Sequence, residues 1–565
     1  MNLRRFRTVA IGAILFGAAA CVDINEELGK NFIPTDNQWD VFTPAPVNIE
    51  QIELQMSDSL SGYSTSRFTF GSINDDTFGT CVKSTCFTLV PIASDLDFGT
   101  SPEVIQFHFC AIRDTLSTSV DNQIGITQNV YISELKQPLD SSVMYSGAFM
   151  DAATRDKYLD ESNYITSGIP VYDGGDSLSF NFSKEFSQDL IRRLDKISLD
   201  TLDNYLSIFP GIYITTDTPV GNGGRINMFE LALGTNSYGY ITGNYAELKI
   251  RSTYEYSEEP VDTSFIFYFG PAELLDEEDT GYPSQFAFNA SSHTGSKVNS
   301  GTVAQEKLYV EGGSGIKPVV KAKELKEKLE SLLNEYGITD PSQVVINKAT
   351  IILPYETEGL PDGFSALNKF PMILSPTVRL YSSDSTYVSY AGLTDSSVES
   401  ENQGDINRSK SVYSPDISHH LQEILKIDSK AADFEEKIRK YDIWMLIMHE
   451  EITTTSTNNS YDDYYNNLLY NSYYNNMMYD PYGYGYGYGG YGGYGYGGYG
   501  GYGYSNYYNY YMMAALASSS SSNTTTSSSI ELDKDRYYKG ILNGPTAAGR
   551  KPQLKVTFSA PKTAK

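Results

Sequence analysis

Short β-forming segments recur along most of the chain, and they limit the folds that it can adopt. Valine, isoleucine, tyrosine, phenylalanine and threonine are concentrated in runs such as 104–109, 129–132, 211–214 and 265–269. Glycine, aspartate, asparagine and proline separate these runs, as is typical of strands joined by turns. The chain is therefore predicted to be mainly β and to form sandwiches of packed sheets.

Only three segments have the apolar periodicity of helices. They are predicted at 183–194, 321–336 and 414–426. The second places leucines at helical spacing among lysines and glutamates, and the third begins with Ser-Pro-Asp, a typical helix start. All three are interpreted as short helices that pack on the sheets.

Length and charge exclude several classes of protein. The chain has 565 residues, which excludes a single small module, and a formal net charge of −28, which disfavours wrapping of nucleic acid. With four cysteines and five histidines, the chain has few candidate ligands for a metal cluster and few thiols for a dithiol centre. No metal or cofactor is expected.

Similar segments recur in the same order in two halves of the chain. In each half an aromatic strand leads into a helix, and an aromatic-aliphatic strand follows. The matched segments are 104–109 with 349–354, 130–133 with 378–381, 178–183 with 412–418, 211–216 with 441–448, and 248–254 with 554–558. We predict two related β-sandwich domains of jelly-roll type, at 48–258 and 259–565.

The first twenty residues have the pattern of a secretory signal. Three arginines precede an apolar run at 9–16, and small residues at 17–20 precede Cys21. The apolar run is too short to span a bilayer. Small residues followed directly by cysteine resemble the bacterial lipobox, so Cys21 is predicted to be cleaved and acylated. The alternative is an ordinary signal that is cut near the same position.

Residues 21–47 are predicted to form a tether after the anchor. Asp23, Glu26 and Glu27 resemble the acidic tether that directs Bacteroidota lipoproteins to the outer face of the outer membrane. The predicted location is the outer membrane, with a lipid anchor and the protein facing the cell surface.

The other three cysteines are expected to be structural. Cys81 and Cys86 could close a hairpin, or Cys86 could meet Cys110 on a neighbouring strand, or the thiols could remain free and buried. No histidine or basic residue lies near enough in sequence to suggest an activated thiolate.

A Tyr/Gly-rich and Ser/Thr-rich insertion covers residues 453–529. It holds 21 tyrosines between Tyr461 and Tyr511, and only three charged residues. Such a composition cannot bury a regular core, so this segment is predicted to be a disordered hairpin loop at one end of the second sandwich. At random-coil dimensions it would reach on the order of 50 Å.

Several motifs resemble functional sites but lack the required context. The glycine pattern at 493–498 matches a dinucleotide-binding motif, but it lacks the preceding strand and the following helix that such a motif requires. His449 is followed by no second histidine at zinc-site spacing. His419 and His420 are assigned to the start of a helix, one facing solvent and the other facing the contact between helix and sheet, and His108 is assigned to the polar face of a strand. The Asx-rich segments 74–76 and 173–176 are interpreted as turns rather than calcium sites.

Four short motifs together resemble one known family. They are residues 71–79, 308–315, 345–349 and 552–559. With the lipobox, their order resembles the Bacteroidota lipoprotein family catalogued as domain of unknown function 4270, over about residues 49–559. The resemblance implies a secreted, lipid-anchored and mainly β protein, and it supplies no catalytic residues.

These features predict a non-enzymatic surface lipoprotein that serves as an accessory subunit of an outer-membrane β-barrel complex, in outer-membrane protein biogenesis or in transport. Its expected partners are membrane lipid, through acylated Cys21, and a barrel protein or other surface lipoproteins. The alternative is a glycan-binding or adhesin-type lipoprotein, in which tyrosine rings would stack on sugars.

Overall fold

A computed structural model describes most of the chain between residues 38 and 562, and 49% of the structure is strand and 18% helix. The prediction of a mainly β, sandwich-rich fold is confirmed. Within 38–562, the residues that the structure does not describe are 58–59, 65, 92–95, 115–117, 120–125, 140–151, 196–200, 232, 236–240, 256–258, 271–285, 299, 304, 357–370, 381–388, 399–402, 457–523 and 536–537.

The strands are numbered along the chain. They are β1 Trp39–Phe42, β2 Val47–Asn48, β3 Ile52–Met56, β4 Tyr63–Ser64, β5 Arg67–Asp75, β6 Gly79–Phe87, β7 Leu89–Pro91, β8 Thr100–Ile112, β9 Thr118–Ser119, β10 Gln128–Asn129, β11 Tyr131–Leu135, β12 Leu159–Tyr164, β13 Val171–Tyr172, β14 Ser177–Asn181, β15 Ile212–Thr215, β16 Gly223–Glu230, β17 Leu233–Thr235, β18 Ile241–Gly243, β19 Tyr245–Thr253, β20 Val261–Phe269, β21 Ala287–Thr294, β22 Lys307–Glu311, β23 Ile316–Val320, β24 Val345–Pro354, β25 Ile373–Leu380, β26 Ser389–Gly392, β27 Ile406–Asn407, β28 Val412–Tyr413, β29 Ile443–Ser456, β30 Thr524–Leu532, β31 Lys539–Asn543 and β32 Gln553–Pro561.

Helices are short and lie between the strands. They are α1 Ala152–Tyr158, α2 Lys184–Leu194, α3 Leu202–Ile208, α4 Ala322–Glu335, α5 Thr394–Val398, α6 Ser418–Lys426 and α7 Phe434–Arg439. The predicted α2 and α4 are present, and the side chain of Ser183 caps α2 by accepting the backbone N–H of Phe186. In the described part of the chain, no helix has the length and apolar character needed to cross a membrane.

The third predicted helix begins later than expected, at Ser418 rather than near Ser414. The residues before it continue the sheet, because Asp416 forms a β-bridge with Thr350 and the backbone N–H of Ile417 donates to the Ala349 carbonyl. Strand pairing therefore overrides the Ser-Pro-Asp start signal at this position.

The first sandwich packs two antiparallel sheets around phenylalanine side chains. One sheet has the order β12-β11-β15-β6-β5-β16-β9, with β21 on β6, and the other has the order β14-β8-β19-β20-β7. Within the second of these sheets, the rings of Phe109 and Phe269 lie 4.9 Å apart, and across the interior those of Phe87 and Phe269 lie 5.2 Å apart. Such ring pairs add to the free energy gained by burying the apolar surface.

The second sandwich repeats this strand order around an aliphatic core. Its sheets have the orders β1-β32-β24-β28-β27 and β26-β25-β29-β23-β3. The neighbouring strands β14-β8-β19 of the first sandwich correspond to β28-β24-β32 of the second, and β11-β15-β6 correspond to β25-β29-β23. The segments that the sequence matched thus occupy equivalent places in the two halves.

Two pairs of strands are exchanged between the halves. β1 and β3 precede the first sandwich, yet β1 pairs with β32 and β3 pairs with β23 of the second. β20 and β21 precede the second sandwich, yet β20 pairs with β19 and β21 pairs with β6 of the first. The strand pairing therefore does not follow the predicted limits of 48 and 258/259, and the predicted tether, 21–47, overlaps sheet strands from residue 39.

The N-terminal arm, β1 to β3, is fixed to the second sandwich by helix α4. The buried carboxylate of Glu324 accepts the backbone N–H groups of Glu50 and Gln51 at 2.6 and 2.7 Å. Burial raises the pKa of Glu324, and these two N–H donors partly offset that effect. The arm is thus held by a carboxylate as well as by strand pairing.

We expect Glu324→Ala to destabilise the fold by about 2–4 kcal/mol, because hydrogen bonds to a charged acceptor are each worth roughly 1.5–3 kcal/mol. Urea unfolding measures the loss, and hydrogen exchange should quicken at β3. Glu327→Ala is the matched control, because Glu327 is an exposed glutamate of the same helix. Equal stability of the two variants would contradict the role assigned to Glu324.

Candidate functional site

A long β-hairpin leaves the second sandwich and carries the Tyr/Gly-rich segment. β29 pairs with β25 only as far as Met448, and from Met448 to Ser456 it pairs with β30, ending at Thr524. At about 3.4 Å per residue this part of the hairpin spans about 27 Å. Residues 457–523 are therefore inserted at the tip of a two-stranded extension and not within a sheet.

The hairpin corrects the limits of the predicted insertion, which were 453 and 529. Thr453–Ser456 pair with Thr524–Ser527 in register, so both ends of that insertion are strand. Threonine is β-branched and suits a strand despite its polarity. The tyrosines at 461–511, the glycine pattern at 493–498 and the predicted lipidation site Cys21 lie outside the described residues.

The base of the hairpin is fixed by a cluster on the outer face of its sheet. Trp444 is 2% exposed and packs with Val319 and Leu446. The Arg379 guanidinium lies 5.5 Å from the Trp444 ring centre, and the Tyr390 ring meets it edge-on at 5.4 Å. This cluster makes β29 a rigid support for the extension.

The three described cysteines are free thiols, so neither of the two possible disulfides is present. Cys86 is buried on β6, and burial raises the pKa of its thiol. Cys110 on β8 is half-buried, and burial raises its pKa while a hydrogen bond with Ser177 opposes the increase. Cys81 is also buried on β6, and it has neighbours that the sequence did not predict.

Cys81 lies beside a histidine and a carboxylate between the two sandwiches. β21 places His293 directly opposite Cys81, and the Glu311 carboxylate is 3.9 Å from His293 Nε2. Burial by itself would lower the pKa of His293, but Cys81 and Glu311 outweigh it and raise the pKa to about 9. Lys317, whose ammonium group is held by the carbonyls of Gly313 and Gly315, opposes that increase.

A thiol, an imidazole and a carboxylate together have the composition of a nucleophilic triad. Here Cys81 is 1% exposed, and the side chains of His293 and Glu311 are 7% and 3% exposed. Burial of this depth excludes a substrate from the thiol in this conformation. We interpret the group as part of the contact between the sandwiches.

The same contact contains a second charged cluster, centred on Asp535. Its carboxylate accepts hydrogen bonds from Ser64 at 3.0 Å and from Asn289 at 2.9 Å, and it lies 3.8 Å from Arg67. Lys83 donates to the Asp535 carbonyl at 2.5 Å. Four first-sandwich side chains thus converge on one second-sandwich residue, and we call this cluster with the Cys81 group the polar seam.

One open cleft of about 650 Å³ lies beside helix α2 in the first sandwich. Arg193 donates to Glu134 at 2.7 Å and to the Ile208 carbonyl at 2.6 Å. Burial raises the pKa of Glu134, partly offset by Arg193. The cleft walls combine side chains of both charges with Leu135, Ile208 and Pro210 and hold no aromatic ring, so they lack the flat surface on which sugars stack.

The remaining predicted residues have structural partners. His419 is exposed and His420 is buried, where its Nε2 contacts the Tyr441 carbonyl at 2.9 Å, as predicted for the two faces of a helix. His108 lies beside Asn181 at 2.9 Å. Asp75 and Asp173 accept backbone N–H groups within their own turns, and the described residues contain no cluster of metal-ligating side chains.

Comparison with known proteins gives no match to a family model, a curated protein or a solved structure.

The raised pKa of His293 predicts how stability depends on pH. A folded-state pKa of about 9 against an ordinary value of 6.5 contributes stability that is fully present below pH 6.5 and is lost as the pH rises through 9. We expect the free energy of unfolding to fall over this range, and His293→Gln to remove most of that fall. The measurement is urea unfolding at several pH values.

His419→Gln provides the control, because this histidine is exposed on helix α6 and is not part of the polar seam. The control should keep the pH dependence of the wild-type protein. Parallel pH profiles for His293→Gln and the wild type would show that His293 is not protonated preferentially in the folded state.

Proposed function

We propose that this protein is a surface-exposed, non-enzymatic lipoprotein of the outer membrane and an accessory subunit of a β-barrel complex. Acylated Cys21 holds it in the membrane, and the Tyr/Gly-rich segment contacts the barrel. The observation that carries the proposal is the β29–β30 hairpin, which projects this segment from a rigid sandwich.

The chemistry of the segment suits adaptable contacts. Tyrosine has an apolar ring and a polar hydroxyl, and side chains of this kind are enriched at protein interfaces and at membrane surfaces. Alternating glycines prevent the rings from forming a fixed core. A partner can therefore be engaged without any change in the folded sandwiches.

The glycan-binding alternative receives less support. Tyrosines on a sandwich loop could stack on sugars, but the cleft beside α2 has no aromatic wall. The resemblance to the lipoprotein family of unknown function likewise agrees with an accessory role and assigns no ligand.

Replacing Cys21 by serine should release the protein from the membrane, because acyl chains supply about 0.8 kcal/mol of membrane affinity per buried methylene. Fractionation of cells followed by immunoblotting measures the release. Cys110→Ser, at a half-buried cysteine of the folded body, should remain in the membrane fraction. Unchanged fractionation of Cys21→Ser would indicate a retained N-terminal helix and contradict the lipid anchor.

Replacing residues 457–523 by Asn-Gly should leave the fold intact, because β29 and β30 can then close through a two-residue turn. We expect Tm to change by less than about 4 °C. A tagged wild-type protein extracted in mild detergent should co-purify a β-barrel outer-membrane protein, and the shortened protein should lose it. Mass spectrometry identifies the partner.

A second variant separates tyrosine chemistry from segment length. It keeps every residue of 457–523 except the 21 tyrosines, which become serine, and it should also lose the barrel. Recovery of the barrel with the shortened protein would contradict the proposed contact, and failure of the wild type to recover any barrel would contradict the proposed function.

A further inference from the structure

The chain has two tryptophans, and their environments differ sharply. Trp444 is 2% exposed beneath the hairpin, whereas Trp39 is 48% exposed on β1, the first described strand. Trp39 follows Cys21 by eighteen residues, which span at most about 60 Å when fully extended. The exposed tryptophan is thus within reach of a lipid anchor at Cys21.

Trp39 belongs to an exposed apolar patch on one face of a sheet. Phe42 faces the core and packs on Phe558 at 5.2 Å, so the alternation along β1 directs Trp39 and Val41 outward. In register, Val41 is opposite Ser559 on β32, and Ser559 is opposite Val345 on β24. Val41 and Val345 are 66% and 47% exposed, and the small Ser559 lies between them.

Lysines accompany this patch. Lys555 is exposed on β32, two residues before Thr557 and on the same face of the sheet. Lys348 on β24 is paired in register with Thr557, and its side chain is 45% exposed. Lys348 is paired with Asp416, and Lys562 donates to Gln38 at the start of the arm. In a chain of net charge −28, this face combines cationic side chains with an exposed tryptophan.

We propose that the face formed by Trp39, Val41, Val345 and Lys555 rests on the headgroups of the membrane leaflet that holds acylated Cys21. This proposal rests on the proposed lipid anchor. Tryptophan rings favour the boundary between headgroups and hydrocarbon, and lysines favour an anionic lipid surface. The contact orients the second sandwich relative to the membrane.

Single-tryptophan variants of the full mature chain test this contact, with Cys21→Ser in all of them so that no acyl chain contributes. Trp444→Phe leaves only Trp39 to fluoresce, and Trp39→Phe leaves only Trp444. The probes are phosphatidylcholine vesicles with and without phosphatidylglycerol. With the anionic vesicles, Trp39 emission should shift to shorter wavelength and be quenched by brominated lipid, whereas Trp444 should not respond.

Lys555→Gln should weaken binding to the anionic vesicles about fivefold, because one lysine near such a surface is worth about 1 kcal/mol. Lys184→Gln, at an exposed lysine of the first sandwich, should bind like the parent. Vesicle binding without quenching of Trp39 would place another face on the membrane and overturn the proposal.

Two further outcomes would also overturn it. If Trp39 emission shifts with protein concentration in the absence of vesicles, the face belongs to a contact between two copies of the chain. If Trp39 does not respond to any vesicle, the face does not bind lipid. Because these proteins carry no acyl group, a failure of the vesicle assay is separate from a failure of Cys21 to anchor the protein in cells.

Discussion

The exchange of strands between the two sandwiches is the constraint on which the rest of the structure depends. Each sandwich obtains two strands, one for each of its sheets, from the segment that precedes the other sandwich. Without these strands, β32 and β23 would present unpaired backbone groups, which favour aggregation. The exchange also joins residues 39–42 to 558–561, so that the two ends of the described chain stabilise one sheet.

The polar seam explains how two such similar sandwiches keep one relative orientation. Lys83 and Lys317 are almost fully buried there, and their ammonium groups contact backbone carbonyls. Lys539 on β31 of the second sandwich is equally buried, and it adds to the seam by pairing with the Asp75 carboxylate on β5 of the first. A buried charge without a partner costs several kcal/mol, so slipped arrangements that separate these groups are disfavoured. Apolar contact alone is not directional and would discriminate less between such arrangements.

Both surfaces that we propose as contacts belong to the second sandwich. The hairpin continues β29 of one sheet, while Trp39 and Val41 lie on the outer face of the other. The first sandwich contributes a phenylalanine core and the other side of the polar seam. In this arrangement the proposed lipid anchor, the proposed membrane-facing patch and the tyrosine segment are all attached through the second sandwich.

Features that arise from local chemistry could be predicted from the order of the amino acids. These are the β content, the repeat of strand order, helix α2, and the position of the Tyr/Gly-rich segment in a hairpin loop. Strand pairing over long separations could be identified only from the folded chain, because composition is nearly the same in all the strands and pairing depends on the whole sheet. It alone brought His293 to Cys81, and it alone delayed helix α6 to Ser418, since bridge formation with β24 outweighs a local start signal. The different exposure of the two tryptophans was likewise set by tertiary packing. Both lie on the outer face of a sheet, but Arg379 and Tyr390 pack against Trp444, whereas Trp39 is 48% exposed.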